Sequence, residues 1–136
     1  MMASPTKSVR PFLMFQGNKC EEAITFYTSV LPESRVVDIK HYGPGEMGAE
    51  GSVFRATFEL AGQKVDCIDS PVRHAFDFTP SFSFFVECGT EEELERLAGA
   101  LGEGGSFLMP IDNYGFSKKF CWLNDRFGVS WQINFE

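Results

Sequence analysis

The sequence predicts an α+β fold of two tandem βαβββ modules, forming a curved mixed sheet with the helices outside. Three observations carry that prediction. The order strand, helix, three strands occurs once and then occurs again. Both helical stretches open on an acidic pair, Glu21-Glu22 and Glu91-Glu92, and both carry an apolar stripe at helical spacing. The chain then ends on a strand, a tight turn and a strand with clean alternation. There Val129, Trp131, Ile133 and Phe135 fall on one face, and Ser130, Gln132 and Asn134 on the other. The halves share a register at an offset of 70, in which Phe12 answers Phe82, Phe15 answers Phe85, Ile24 answers Leu94 and Leu31 answers Leu101. Each half alone is a small sheet with one helix. Two of them side by side extend the sheet and leave a groove on its inner face.

The bulk properties bound the function. A chain of 136 residues is one domain or two tightly fused halves, and 43% hydrophobic residues with 15 Phe suffice for a packed core. A net charge of −7 opposes nucleic acid, which requires a basic face, and anionic membrane surfaces. No apolar run approaches the ~20 residues of a membrane span. Met1 to Arg10 has no apolar signal core, so a cytoplasmic protein is expected. Cys20, Cys67, Cys88 and Cys121 include no C-x-x-C pair, and the expectation is buried, reduced thiols.

Taken in order, residues 1–9 are a polar, disordered lead, 10–70 the first module, 71–80 a connector and 81–136 the second module. Arg10 to Gln16 is a strand with Phe12, Met14 and Gln16 on one face and Leu13 and Phe15 on the other. Gly17-Asn18 breaks it. Asn18 is the expected N-cap of a helix from about Lys19 to Leu31, with Glu21 as capping-box partner and Pro32 as the stop. Arg35 to Tyr42, Ser52 to Leu60 and Gln63 to Asp69 are the next strands, and Phe54, Ala56, Phe58 and Leu60 share a face of the second of these. The glycine-rich loop from Gly43 to Gly51 lacks the G-x-x-x-x-G-K-[ST] pattern of a phosphate cradle.

After the aperiodic connector, Ser81 to Cys88 is a strand with Phe82, Phe84 and Val86 alternating against Ser81, Ser83 and Phe85. Thr90 caps the second helix, Glu91 to Leu101, with Glu93 completing the box, and Gly102 to Gly105 ends it. Ser106 to Ile111, Lys118 to Asn124 and Val129 to Phe135 are the closing strands. Asn124 to Gly128 supplies the final turn, where Gly128 tolerates a positive φ.

That duplication resembles the vicinal oxygen chelate superfamily of glyoxalases, bleomycin-resistance proteins and extradiol dioxygenases. Asn124 to Ile133 resembles the D-x-F-G-x-x-W signature of its PhnB-like members, several of which carry the name 3-demethylubiquinone-9 3-methyltransferase. Pro11 to Phe15, Glu22 to Tyr27 and Phe78 to Val86 fit the same group. The resemblance implies a small-molecule ligand and a homodimer. In the metal enzymes of the superfamily one side chain from each of four strands binds a divalent ion. Carried onto this chain, three positions are Phe12, Ser81 and Gln132, and the remaining one lies between Val65 and Asp69. Phe cannot ligate, and Ser and Gln are weak neutral donors, so no metal and no cofactor is expected. The methyltransferase name conflicts with a short chain that lacks G-x-G-x-x-G, and reads as inherited.

The expected ligand pocket is lined by Phe12, Met14, Gln16, Trp122, Ser130, Gln132 and Asn134, a surface suited to a small, partly apolar ligand. Tyr114-Gly115-Phe116 is a candidate flap, and Lys118-Lys119 a solvated basic pair. The competing reading is an enzyme, using noncanonical metal ligands or a metal-free acid–base pair such as His74 and Asp69. A third is a dimer whose groove is filled by Phe12, Met14 and Trp122.

Overall fold

The computed structural model describes residues 5–136; the first four residues of the expected lead lie outside them, and residues 5–9 join no helix or strand. The chain divides into two compact units, one ending at His74 and the other beginning at Ala75.

The first unit holds β1 (Phe12–Phe15), α1 (Cys20–Val30), β2 (Arg35–His41), β3 (Val53–Leu60) and β4 (Gln63–Asp69). Its sheet runs β1-β4-β3-β2, with β1 parallel to β4 and the other pairs antiparallel. The second unit repeats the plan with β5 (Ser83–Glu87), α2 (Glu91–Gly102), β6 (Ser106–Asp112), β7 (Lys119–Asn124) and β8 (Ser130–Phe135). Its sheet runs β5-β8-β7-β6, again with only the first pair parallel.

Each unit is a sheet with a helix on one face, and the apolar periodicities decide which face. Leu13, Phe15, Ala56, Phe58, Leu60, Val65 and Cys67 are buried, as are Cys20, Ala23, Ile24 and Tyr27 of α1. The Tyr27 and Phe58 rings lie 6.3 Å apart. In the second unit Cys121, Leu123, Trp131 and Ile133 are buried together with Leu94, Leu97, Ala98 and Leu101 of α2. Phe84 lies 4.9 Å from the fully buried Trp131. Burying one indole removes ~150–250 Å² from water, about 4–6 kcal/mol as an upper bound.

Several local expectations are corrected. The repeat keeps its offset of 70 in the helices but not in the first strands. Phe15 is 1% exposed, whereas Phe85 is 54% exposed, and it is Phe84 that packs on Trp131. A slip of one residue swaps sheet faces, so strand positions correspond at 71. In β3 it is Val53 that is buried and Phe54 that is exposed. The β2–β3 register shifts between Lys40 and His41, and a bulge there turns Val53 inward.

Asn18 does not cap α1. It takes a left-handed conformation at φ 60°, and the cap residue Lys19 makes no side-chain cap hydrogen bond. Thr90 does cap α2, accepting from Glu93 N at 3.1 Å, but the Glu93 carboxylate turns to Arg96 instead of closing the box. Lys119 is not a free solvated cation: it bridges Glu91 and Glu95, tying β7 to α2. His41 reaches back to Glu21 in the first turn of α1, at 2.7 Å.

Three buried carboxylates fasten these elements. Asp69, 1% exposed at the end of β4, accepts from Cys20 N at 2.9 Å and from Val53 N at 2.8 Å. A residue 49 positions away thus does for α1 what Asn18 was expected to do, and its negative charge sits at the positive end of the helix. Asp125, 3% exposed, does the equivalent for the closing turn. Its Oδ1 accepts from Phe127 N and Val129 N at 2.8 and 3.0 Å, and its Oδ2 from the Trp131 indole at 2.8 Å. Gly128 sits at φ 90° and donates to the Asp125 carbonyl. The spacing of the D-x-F-G-x-x-W stretch follows: one aspartate satisfies two turn amides and orients the indole below them. Gly105 is held by the same corner, since a Cβ there would lie 2.1 Å from the Asn124 carbonyl oxygen.

Asp66, also buried, meets Arg55 at 2.6 Å, Thr57 Oγ1 at 2.8 Å and Arg10 at 3.3 Å. Burial alone would raise its pKa, but the hydrogen bonds from Arg55 and Thr57 and the charges of Arg10 and Arg55 outweigh it and hold the carboxyl below its ordinary value.

Two outcomes follow. Replacing Asp125 by Ala strands two buried donors and one half-buried one and is expected to cost ~3–5 kcal/mol in urea unfolding; a loss under ~1 kcal/mol would contradict the role given to it. A folded-state pKa below the unfolded one stabilises the fold above the unfolded pKa, ~3.9, and this contribution fades as pH falls through the folded value. Asp66→Asn is therefore expected to flatten the acid limb of the stability curve below about pH 4 relative to the parent; parallel limbs would contradict the ion-pair account.

Candidate functional site

The helix-free face of each sheet carries the chemistry, because the helix-facing side is closed by packing. In the second unit, side chains of β5, β7 and β8 converge. The parallel β5–β8 register sets Ser83 against Ser130, Phe85 against Gln132 and Glu87 against Asn134. Ser83 and Ser130 hydroxyls are 2.7 Å apart, and the Trp122 indole donates to Ser130 Oγ at 2.9 Å. Gln132 Nε2 donates to Ser83 Oγ at 3.4 Å, and Asn134 Nδ2 to Glu87 Oε2 at 3.2 Å. Asn134 is 4% exposed, and its Oδ1 is buried with no hydrogen-bond partner among the described residues. A buried amide oxygen left unpaired costs on the order of 1–3 kcal/mol, which a donor from a bound molecule would recover.

Aromatic rings frame this polar row. Trp122 stands between Gln132 on β8 and Met109 on β6. Phe120 is buried and contacts Tyr114 and Phe116 at 6.1 and 5.0 Å, so the expected flap rests on the helix-free face at that end. Gly115 between them sits at φ 96°, and Tyr114 is tethered by its hydroxyl to the Pro110 carbonyl at 2.6 Å.

The seven expected pocket residues separate into two sets. Trp122, Ser130, Gln132 and Asn134 belong to this cluster in the second unit, while Phe12, Met14 and Gln16 belong to the first. There the Phe12 ring lies under the Arg55 guanidinium at 5.3 Å, beside the Asp66 ion-pair cluster. Met14 is half-buried next to Ile68. Gln16 Oε1 accepts from His74 N at 2.6 Å and so anchors the start of the connector.

Sequence reasoning missed four of the participants. Ser83, not Ser81, is the β5 hydroxyl in the cluster; Ser81 lies before the strand and pairs with Thr79 at 2.6 Å. Phe85 and Glu87 were hidden by the one-residue slip, and nothing local marked Ser70. The Ser70 hydroxyl lies 3.0 Å from His74 Nε2. The two Asp69 oxygens accept from the Cys20 and Val53 amides, and the His74 ring meets the Ser70 hydroxyl.

The donor set does not fit a superfamily metal. On the four strands concerned the helix-free face presents Phe12, Asp66, Ser83 or Phe85, and Ser130 or Gln132, and Asp66 is already neutralised by two guanidiniums. Among the described residues no group of three or more His, Cys, Asp or Glu is placed to hold an ion. Among the described residues no helix is long and apolar enough to cross a membrane.

Comparison with known proteins places this geometry. The family model described as 3-demethylubiquinone-9 3-methyltransferase matches residues 7–134. A solved PhnB protein from Bacillus cereus is 49% identical, with 96% of this chain and 100% of that chain covered and a TM-score of 0.92. A Pseudomonas aeruginosa protein is 28% identical over 96% and 98% of the two chains, with a TM-score of 0.82. A glyoxylase/bleomycin resistance protein/dioxygenase domain from Frankia, 17% identical over 97% and 93%, shares the fold at a TM-score of 0.62. No curated protein matches. Two four-stranded mixed sheets with one helix each are not the doubly wound parallel sheet on which adenosyl-dependent methyl transfer usually rests, so the methyltransferase description reads as inherited naming. By the match over nearly its whole length, the chain belongs to the 3-demethylubiquinone-9 3-methyltransferase family, with a PhnB protein as a 49% identical relative.

Proposed function

We propose that this protein binds a small, partly aromatic molecule carrying a hydrogen-bond donor, on the helix-free face of its second unit, without a bound metal. The observation that carries the reading is the Asn134 Oδ1 acceptor, buried and without a partner among the described residues, on a face framed by Trp122, Phe120 and Phe85. Ring stacking and apolar burial supply affinity there, and the Ser83–Ser130–Gln132 row supplies orientation. The ligand reads as an aromatic or heteroaromatic amide, amine or phenol, since such groups bring both a ring and a donor.

The reading also includes a homodimer in a reducing, cytoplasmic setting. Phe107, Leu108 and Ile111 of β6 are exposed apolar residues on an edge strand, which supports an interface, and all four cysteines are free thiols.

A second reading rests on one contact, the 3.0 Å approach of Ser70 Oγ to His74 Nε2, with His74 N held by Gln16. This is the geometry of a nucleophile and its base, and it would make the protein an ester or amide hydrolase. Against it, Ser70 Oγ also bonds the Val72 carbonyl at 2.6 Å, as a turn-forming serine does.

Screening by thermal shift and tryptophan emission against aromatic amides, amines and phenols is expected to yield binders. For them Asn134→Ala should weaken binding ~10-fold and Trp122→Ala ~10–100-fold. The same samples should scatter light at the mass of two chains. Binders indifferent to both substitutions would remove the second-unit face as the site. Activated nitrophenyl esters separate the readings: a hydrolase should lose at least ~100-fold in rate in His74→Ala, and equal rates leave Ser70 as a turn residue.

A further inference from the structure

Two nucleophilic side chains take no part in either reading. Cys20, the first residue of α1, and Cys67, at the middle of β4, place their sulfurs 3.0 Å apart in a thiol–thiol contact. Neither has been brought there by a mobile loop. Cys20 is held through its amide by the Asp69 carboxylate, and Cys67 is paired on both sides within the sheet, to Leu13 of β1 and Ala56 of β3. Both are fully buried. The contact is about 1 Å longer than a sulfur–sulfur bond of ~2.05 Å. The residues are 47 apart in sequence, so a bond between them would close a long loop.

We propose that Cys20 and Cys67 are a redox-modification site, oxidised reversibly to an intramolecular disulfide by a hydroperoxide. In the first step one thiolate attacks the terminal peroxide oxygen, the O–O bond breaks, and a sulfenic acid forms as the other oxygen leaves as water or an alcohol after protonation. In the second step the neighbouring sulfur attacks the sulfenic sulfur, its proton leaves with the departing hydroxide as water, and the S–S bond forms. Two thiols are oxidised by two electrons, and the hydroperoxide is reduced. A thiol donor such as glutathione reverses the step by exchange.

The resolving thiol at 3.0 Å makes the second step intramolecular and protects the sulfenic acid from further oxidation. Burial sets the rate of the first. The Cys67 contact, and then burial, push the Cys20 thiol well above its ordinary pKa, so oxidation awaits brief opening where β1 turns into α1, at Gly17 and Asn18. The product would pin the N-terminus of α1 to the middle of the sheet.

The test is to treat the full-length native protein with hydrogen peroxide, block free thiols in denaturant, and digest without reduction. The expected result is a loss of two hydrogens per chain, a cross-linked peptide pair containing Cys20 and Cys67, full reversal by glutathione, and a melting temperature higher by on the order of 5 °C in the oxidised form. Cys88 and Cys121 should remain alkylatable. Cys20→Ser and Cys67→Ser should each abolish the cross-link and leave a sulfenic or sulfinic adduct on the remaining partner. Over-oxidation of either cysteine in the parent without a cross-link, or full alkylation of both after peroxide exposure, would overturn the proposal.

Discussion

Each unit hangs on a carboxylate taken out of water and given backbone amides to hold. An isolated charge in a protein interior is costly, and it persists only where strong donors surround it. Asp69 and Asp125 meet that condition with N–H groups that need a partner themselves. Asp69 joins the start of α1 to the start of β3 from the end of β4. Asp125 joins both sides of the last turn and the indole that fills the core beneath α2. The strand registers that depend on them fix which side chains stand on the helix-free faces. A face flips entirely with a slip of one residue, so the site is only as well defined as these anchors make it.

The same economy explains the chemistry of the faces. In the first unit the charged groups satisfy one another: Asp66 takes Arg10, Arg55 and Thr57, and Arg55 also covers the Phe12 ring. In the second unit one carboxylate, Glu87, takes the Asn134 amide, the serines, the indole and Gln132 form a chain of hydrogen bonds, and Asn134 Oδ1 has no partner among the described residues. Neither arrangement offers the two or three anionic or imidazole donors that a divalent ion requires. Function resides in the side chains grafted on a fold, so the shared fold does not by itself bring a metal site to this chain.

Local rules made the element order legible, because it depends on periods of two and 3.6 residues and on Gly and Pro stops. The helix stripes at Ile24 and Leu94, the Thr90 cap, the Asn124–Gly128 turn and the polar face of Ser130, Gln132 and Asn134 were all readable in this way. Features decided by distant partners were not. Asn18 looked like a cap, but the N–H it would have served was already taken by Asp69. Phe54 looked inward, but it is the extra residue of a bulge in β3 itself, and Val53 takes the inward position. Ser81 was the position that the resemblance implied on the first strand of the second half, but β5 begins two residues later and it is Ser83 that pairs with Ser130. The partners of His74 and of Cys20 lie in turns and strands that no motif connects.

Amide hydrogen exchange, resolved residue by residue by NMR, tests the anchoring role most directly. If the two carboxylates hold the units together, the amides of Cys20, Val53, Phe127 and Val129 and the Trp131 indole N–H should exchange only through global unfolding, as slowly as the central strands, although four of these five groups lie at element ends or in a turn. Exchange at the rate of exposed loops, with the strands still protected, would show that the fold stands without them.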